Sequence, residues 1–599
     1  MVQHVCGRVT GSFTKEYAMG KVGKLEKAIS FYCEITSLSD GEPATLTGGS
    51  FINGDVVRYG EAFDVLNPAT GEKIGSCSET TPEDIDRAFC EARSAQFYWR
   101  HCVSSQEKRA VFEHLWLLIA QYKEEFAVLY AHESGKVITS SRADIVECID
   151  TIKAAYSTLH DEGGTYDEAQ LACKHAATVP WEYGVELAIK PFNFAAIYFW
   201  KVAASVMSGC AVIVKEAEQV PFTGLCMTAL FHKALRNALG IECAHKLCGL
   251  VQLLQGRGET VGKYAVENGD YDLVSATGSW QMGSSVASVA ARKIRPQKLE
   301  LSGHNRILQW FDYPVEKAAE EVVLAAFGDS GQRCVSAKAV FTPRALFKET
   351  IAEIVRRAKS LRIGDPQDPA TDIGPIVSAE QLETIQRAVA EVLIMGISPA
   401  LGGYALNPFT VDRALAEGFT FAQEDFREGG RFARGYWFVP TVFTNITMDR
   451  PIMRYEAFGP VVVLNELEWA WRESLGGKDP IQRNARIYDY MHAKGIEGLA
   501  HAELFLRGME LLNDNLFGLS CAFLSYDVRY LVHFIELAQY GLRYCGRGTT
   551  GAEVDARTVF GGGKNSGYGR EGGSVKHART VAQVYFDASP RTRLAQRDI

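Results

Sequence analysis

Three side chains of the kinds that run acyl-transfer chemistry stand out along this chain. Cys334 closes Gly331-Gln332-Arg333-Cys334, directly after the apolar run Val322 to Phe327. A cysteine so placed is either a nucleophile or a small packing residue, because a reduced cysteine behaves as a small hydrophobe in a core. Its company shifts the balance. Glu300 lies upstream in Lys298-Leu299-Glu300-Leu301-Ser302-Gly303-His304-Asn305, and Asn193 lies in Pro191-Phe192-Asn193-Phe194. Thioester chemistry needs a polarisable nucleophile, a base to activate the water that releases the acyl group, and a neutral donor for the tetrahedral oxyanion. A plain core accounts for none of the three together.

Elements of a layered α/β fold must hold these groups. From Tyr183 to Leu301 the pattern alternates strand and helix: Val185 to Ile189, Lys201 to Met207, Ala211 to Val214, Pro221 to Leu239, Leu250 to Leu254, Thr260 to Glu267, Leu273 to Ala276 and Gly283 to Ala291. Such alternation predicts a parallel sheet with helices on both faces, and a dinucleotide fits the C-terminal edge of such a sheet. Upstream, Thr81-Pro82-Glu83-Asp84 has an N-cap, a proline at the first helical position and acids in the first turn. Periodic segments over Lys108 to Tyr130 and Ala143 to Leu159 predict further helices.

Three glycine clusters compete for the nucleotide. Gly546-Arg547-Gly548-Thr549-Thr550-Gly551 fits G-x-G-x-x-G, yet no helical pattern opens after it and no ribose-binding acid follows at the right distance. Gly561-Gly562-Gly563-Lys564-Asn565 lacks the Ser/Thr of a phosphate loop and reads as a turn beside the active site. Gly278 and Ser279, leading to Gly283, are better placed. A predicted strand precedes them and a helix follows, so backbone N–H groups and a helix N-terminus can meet a pyrophosphate.

Six stretches in order resemble those of aldehyde dehydrogenases: Pro-Phe-Asn-Phe at 191 to 194, Lys215-Glu216-Ala217-Glu218, Thr277-Gly278-Ser279, Glu300-Leu301-Ser302-Gly303, Gly331-Gln332-Arg333-Cys334 and Glu456-Ala457-Phe458-Gly459-Pro460. The resemblance runs from about Phe51 to the C-terminus. It implies an aldehyde dehydrogenase-like α/β fold with a Rossmann-like cofactor domain, an α/β catalytic domain and a small β oligomerisation element. By resemblance Cys334 is the nucleophile, Glu300 the base and Asn193 the oxyanion donor. Lys215 and Glu218 look like the pair that holds the adenosine ribose, and Glu456 and Phe458 like the residues around the nicotinamide ribose and ring. The carboxylate of Glu218 favours NAD over NADP, because it accepts from a free 2'-hydroxyl and repels a 2'-phosphate. Thr550, Gly551 and Ala552 resemble the loop by which amino-acid semialdehyde dehydrogenases, for glutamate or aminoadipate semialdehyde, hold the substrate's carboxylate. The same glycine equally suits a plain turn. The other readings are a general aliphatic or aromatic aldehyde and a non-catalytic binding or structural protein on the same scaffold. Departures from the family pattern are Ala195 and Glu216 for prolines, Ser302 for a glycine and Val559 for a proline.

The expected organisation is an N-terminal extension at 1–48 lying on the surface, a NAD-binding domain at 49–165 and 183–299, a catalytic domain at 300–574, and an oligomerisation element at 166–182 and 575–599. Stretches near 404–434 and 470–506 exceed the family's spacing and read as surface insertions, with a lid or subunit contact as the alternative. A strand is expected within Thr580 to Phe586. Composition narrows the partners. With 599 residues, 47% apolar and 23% charged, the chain is ordinary globular material, and a net charge of -9 argues against nucleic acid as a partner. The apolar stretch Ala195 to Val214 is interrupted by Lys201, Ser205, Ser208 and Gly209, so it reads as buried helix then strand and no membrane span is expected. Fourteen cysteines show no metal-site spacing; no metal is expected, and a reducing compartment, the cytoplasm or else the mitochondrial matrix, is. A small-molecule aldehyde and a second or further copies of the chain, as homodimer or homotetramer, are the expected partners.

Overall fold

The computed structural model describes residues 13–38, 46–158, 164–168, 174–476, 480–551, 559–572 and 579–587. Two sheets dominate it. In the first, the parallel strands Gln297–Glu300, Leu273–Thr277, Val185–Ile189, Ala211–Lys215 and Val251–Leu254 lie side by side in that order, flanked by the antiparallel strands Gly567–Tyr568 at one edge and Ser50–Ile52 with Asp55–Val57 at the other. Strand order reverses between Val185–Ile189 and Leu273–Thr277, which opens a crevice at their C-terminal ends. The strands are buried on both faces and read as near-continuous apolar runs, as parallel strands under helices must.

The second sheet is wholly parallel, in the order Thr441–Thr444, Val461–Glu466, Ala337–Thr342, Asn305–Gln309, Ser520–Leu524 and Leu542–Cys545. A separate antiparallel sheet joins Arg579–Asp587, Lys174–Glu182 and Tyr166–Glu168, so the expected C-terminal strand forms and finds its partner in the segment before the first sheet.

Local expectations hold where capping chemistry is strong. Thr81 accepts from the Asp84 N–H at the start of the helix Pro82–Cys102. The expected helix from Lys108 is two helices, Ser105–Gln121 and Lys123–Ser134, which meet at Tyr122 (φ -105°, ψ 21°). The one expected from Pro221 continues to Lys246 through a kink at Gly240 (φ 77°, ψ 168°).

The N-terminal extension is not a surface appendage. The helix Phe13–Thr36 buries Ala28, Phe31, Tyr32 and Ile35, which recur at helical spacing on one face. Phe31 packs at 4.8 Å from Tyr122 and 4.9 Å from Phe126. Tyr32 donates to the Thr47 carbonyl at 2.5 Å, and Leu46–Gly48 then pairs with Lys73–Ser78. The interspersed lysines and glutamates lie between the positions of that stripe and mask it in the sequence.

The longer insertion buries Trp471, Ile487, Met491, Ile496 and Phe505, and His501 stacks on Phe311 at 4.3 Å. Phe311 follows the C-terminal end of Asn305–Gln309, whereas the residues singled out for chemistry precede the second sheet's strands. The insertion therefore packs on the sheet edge remote from Cys334. Phe426 and Phe432 of the shorter insertion pack on Trp437 at 5.1 Å each. Neither insertion lines the central cleft among the described residues.

If the N-terminal helix is part of the core, Phe31→Ala should cost about 3 to 5 kcal/mol, the usual penalty for emptying a buried phenylalanine site. Urea unfolding measures this, and an unmoved midpoint would mean that the helix is dispensable.

Candidate active site

The C-terminal edge of the first sheet faces the N-terminal edge of the second, and between them lies a cleft of about 1720 Å³. Asn193, Glu300 and Cys334 all line it, although each comes from a different connection. Asn193 follows the strand Val185–Ile189, Glu300 ends Gln297–Glu300, and Cys334 sits between the helix Val315–Phe327 and the strand Ala337–Thr342.

Cys334 is half-buried on a loop held from every side. After Phe327 the chain turns through Asp329 (φ 50°), Ser330 (φ 56°) and Gly331 (φ 68°), three successive left-handed residues. At Gly331 only glycine fits, because a Cβ there would lie 2.1 Å from the Gly459 carbonyl oxygen. Lys338 Nζ donates to the carbonyls of Gly331 (3.0 Å) and Gly459 (3.1 Å), which fastens the loop to the Glu456–Pro460 segment. The Gln332 side chain donates to the Pro375 carbonyl and accepts from the Val377 N–H. Asn305 Nδ2 donates to the carbonyls of Cys334 (2.6 Å) and Ser336 (2.9 Å).

The Asn193 carboxamide reaches the same loop. Its Nδ2 donates to the Gln332 carbonyl at 2.9 Å, two residues before the thiol. A primary amide has two N–H donors, so one fixes the group's orientation and the other can serve an oxyanion.

Glu300 is 3% exposed. Oε2 accepts from the Gly562 N–H at 3.1 Å, and buried Oε1 has no hydrogen-bond partner among the described residues. Burial, joined by repulsion from Glu571, pushes its carboxyl well above the ordinary carboxylate range, against the Gly562 N–H and the cations Lys201 and Arg570. The glycine-rich turn at 561–563 thus stands beside the active site as expected. Two partners were missed in the sequence: Lys201 and Glu571 form a buried ion pair, with Thr277 Oγ1 donating to Glu571 at 3.4 Å. The signal available was a lysine inside an otherwise apolar helix; its partner lies 370 residues away.

The nucleotide half of the cleft assembles most of the expected residues. Lys215, Glu218, Gly278, Ser279, Glu456 and Phe458 all line it. Lys215 is buried, which lowers its pKa, and the charge of Glu218 opposes that shift. Ser279 caps the helix Trp280–Arg292 by accepting from Met282 N–H at 3.1 Å. Ser302, where the family has glycine, uses its hydroxyl to accept from Trp280 N–H at 3.2 Å, so its added side chain lies against the helix N-terminus. Gly283 is a correction. It is absent from the cleft wall, and a Cβ there would meet Leu301 at 2.2 Å, so this glycine permits close helix–strand packing.

Glu456 Oε2 accepts from Gly303 N–H at 3.1 Å. Burial lifts its pKa to about 8 against the pull of Lys338. Ser302 and the Gly303 N–H oppose the rise, and Oε1 has no hydrogen-bond partner within bonding distance among the described residues, which leaves an acceptor for a ligand hydroxyl. Phe458 adopts φ 47° and meets Phe192 edge-on at 6.0 Å. A dinucleotide fits this set: a lysine donor and a carboxylate acceptor for ribose hydroxyls at one end, a helix N-terminus in the middle, and a carboxylate oxygen open to a ligand on the Glu456 segment.

The expected substrate loop is described only in part. Thr550 and Gly551 are not on the cleft wall, and Ala552 lies outside the described residues. Thr549 Oγ1 donates to the Val335 carbonyl at 2.7 Å and Gly548 N–H to Glu321 at 2.7 Å, which ties the segment behind the cysteine loop. Gly551 has φ 101°, a conformation that needs glycine. The wall nearest Glu300 is aromatic: Trp200 packs against Phe194 at 5.4 Å and Phe560 at 5.0 Å.

Comparison with known proteins agrees with this geometry. The model of the aldehyde dehydrogenase family matches residues 56–469 and 503–584, and the gap falls on the longer insertion. Among solved structures, a NAD-dependent aldehyde dehydrogenase from Sinorhizobium meliloti superposes with a TM-score of 0.77 at 22% identity, covering 92% of this chain and 97% of that one. Betaine aldehyde dehydrogenase from Staphylococcus aureus in complex with NAD+ gives 0.77 at 21% identity, covering 94% and 97%. An Escherichia coli NADP-dependent enzyme gives 0.74 at 23%, covering 90% and 98%. With the family's motif residues gathered in one cleft and its model spanning most of the sequence, the chain belongs to the aldehyde dehydrogenase family.

Proposed function

We propose that the protein oxidises an aldehyde to a carboxylic acid through a thioester on Cys334, with NAD as cofactor. The observation that carries this reading is the convergence of Cys334, Glu300 and Asn193 on one cleft from three distant connections. Cys334 attacks the aldehyde carbon as thiolate, and the Asn193 carboxamide with the Cys334 backbone N–H stabilises the oxyanion. Lys215 and Glu218 would hold the adenosine ribose, the region of Gly278 and Ser279 the phosphates, and Glu456 and Phe458 the nicotinamide end. NAD bound there supplies the hydride acceptor. Glu300 then takes a proton from the water that opens the thioester, and the neighbouring Lys201–Glu571 pair can carry the proton onward.

For the substrate, an amino-acid semialdehyde is the first reading, supported by the glycine-requiring turn at Gly551 tethered beside the cysteine loop through Thr549. An apolar or aromatic aldehyde is the second, favoured by the wall of Phe194, Trp200 and Phe560. Glu218 supports NAD. The three-stranded sheet is read as the subunit contact of a homodimer or homotetramer. The cytoplasm is the proposed location, resting on the scattered cysteines; among the described residues no helix is long and apolar enough to cross a membrane.

Cys334→Ala should abolish aldehyde-dependent NADH formation, and Asn193→Ala should lower it by about two to three orders of magnitude. Unchanged turnover in either variant would overturn the scheme. Glu300→Gln should still release one equivalent of NADH in a burst and then stall as acyl-enzyme. Because the Glu300 carboxyl is held well above the ordinary range, only its ionised form acts as base. Where deacylation limits the rate, wild-type turnover should therefore climb with pH through that raised pKa and fall away below it; a flat profile across this range would remove Glu300 as base. Kinetics on glutamate and aminoadipate semialdehydes against benzaldehyde and hexanal, each with NAD and NADP, decide substrate and cofactor. A preference for the uncharged aldehydes selects the second reading, and a preference for NADP reverses the cofactor assignment.

A further inference from the structure

A cluster of four buried or half-buried charges links the two catalytic loops, and the scheme above gives it no task. Lys136 follows the helix Lys123–Ser134, and its Nζ donates to both oxygens of Asp144 at 2.7 and 2.8 Å. The same Nζ donates to the backbone carbonyl of Asn193 at 3.2 Å and lies 3.5 Å from Asp329 Oδ2. It sits over the Phe194 ring at 4.9 Å. Asp144 Oδ2 also accepts from Ala195 N–H at 3.1 Å, so the backbone at and just after Asn193 is anchored. Asp329, first of the three left-handed residues, pairs with Arg333, the neighbour of Cys334.

Three of the cluster's four members are closed to solvent. Lys136, Asp144 and Asp329 side chains are all about nine-tenths buried or more. A void of only about 10 Å³, lined by Lys136, Asn193, Asp329 and Gln332, lies between the two loops, enough for about one water. Solvent therefore cannot replace a lost member. Burial alone would raise the Asp329 carboxyl, but Arg333 and Lys136 together hold it at about 2, so it is an anion whenever the enzyme works.

Resting on the oxyanion role of Asn193, we propose that Lys136 and Asp329 are positioning residues that set the distance between the Asn193 carboxamide and the Cys334 thiol. Asp329 stands on the cysteine loop and Lys136 grips the asparagine loop, so their attraction spans the gap across which the oxyanion forms. Removing one partner leaves an uncompensated buried charge and lets the loops part. An error of about 1 Å in such a placement can cost on the order of a hundredfold in rate.

The test is a double-mutant cycle read in two assays. One follows the NADH burst in a single turnover; the other follows nitrophenolate release from p-nitrophenyl acetate without nucleotide. In the second assay the thiolate displaces nitrophenolate and water then opens the acetyl thioester, so the oxyanion is formed with no hydride transfer. Lys136→Met should slow both by about ten- to a hundredfold, Asp329→Asn should slow them less, and Lys136→Arg should restore part of the loss. In the Asn193→Ala background neither substitution should slow either assay further, because groups acting through one another are not additive. Additive losses in that background would reduce the cluster to general stability and overturn the proposal, as would full activity of Lys136→Met. Asn193→Ala at wild-type rate would instead refute the oxyanion role itself. Should Lys136→Met not fold, Asp329→Asn carries the cycle by the same criteria.

Discussion

At Gly303 the chain passes so close to the cysteine loop that a Cβ would lie 2.3 Å from the Cys334 carbonyl oxygen. Much of the active site depends on that approach. Glu300 ends the last parallel strand of one sheet and Asn305 begins a strand of the other, so only a few residues separate the two cores. Within them Gly303 grazes the cysteine loop, and Asn305 clamps it through two carbonyls. The C-terminal edge of one sheet and the N-terminal edge of the other are thereby fastened together at the cysteine loop. The cofactor half follows the switch point of a parallel sheet, while the nucleophile belongs to the second sheet, so neither layer forms the site alone.

The same closeness sets the electrostatics. Glu300 and Glu571 are buried and Glu456 is half-buried, and a carboxylate so placed loses much of its hydration. Two outcomes result from one cause. Glu300 and Glu456 have few compensating donors and are pushed upward, whereas Asp329, equally buried, is pulled down because two cations flank it. Burial alone therefore does not decide the charge state; direct pairing does, for Arg333 pairs with Asp329 itself, whereas Lys201 pairs with Glu571 and not with Glu300. A base with a raised pKa is suited to taking a proton from water near neutrality, while a permanently ionised aspartate is suited to holding loops together.

The comparison of sequence with structure divides along physical lines. The alternation from Tyr183 to Leu301 was legible because buried parallel strands need continuous apolar runs, which leave a local mark. The Thr81 cap was legible because its hydrogen bond spans three residues. The stripe on the N-terminal helix was hidden by charged residues between its apolar positions, and Gly283 was misread because a glycine needed for packing and one needed for a phosphate look alike in a sequence. Thr550 and Gly551 suit a plain turn or a substrate loop equally well in the sequence; what holds the segment beside the cysteine loop is a tether from Thr549 to Val335, far away in the chain.

What the sequence determined by itself was chemistry of kind. A thiol, a carboxylate and a carboxamide lie in six ordered motifs, within a pattern of strands and helices that fixes an α/β fold. What only the tertiary structure decided was company: Lys201 with Glu571, Lys136 with Asp329, and Ser302 with a helix N-terminus. The physical reason is range. Propensity, periodicity and capping act over a few residues and are written locally, whereas the charge and reach of a buried side chain depend on partners as distant in the chain as Glu571 is from Lys201.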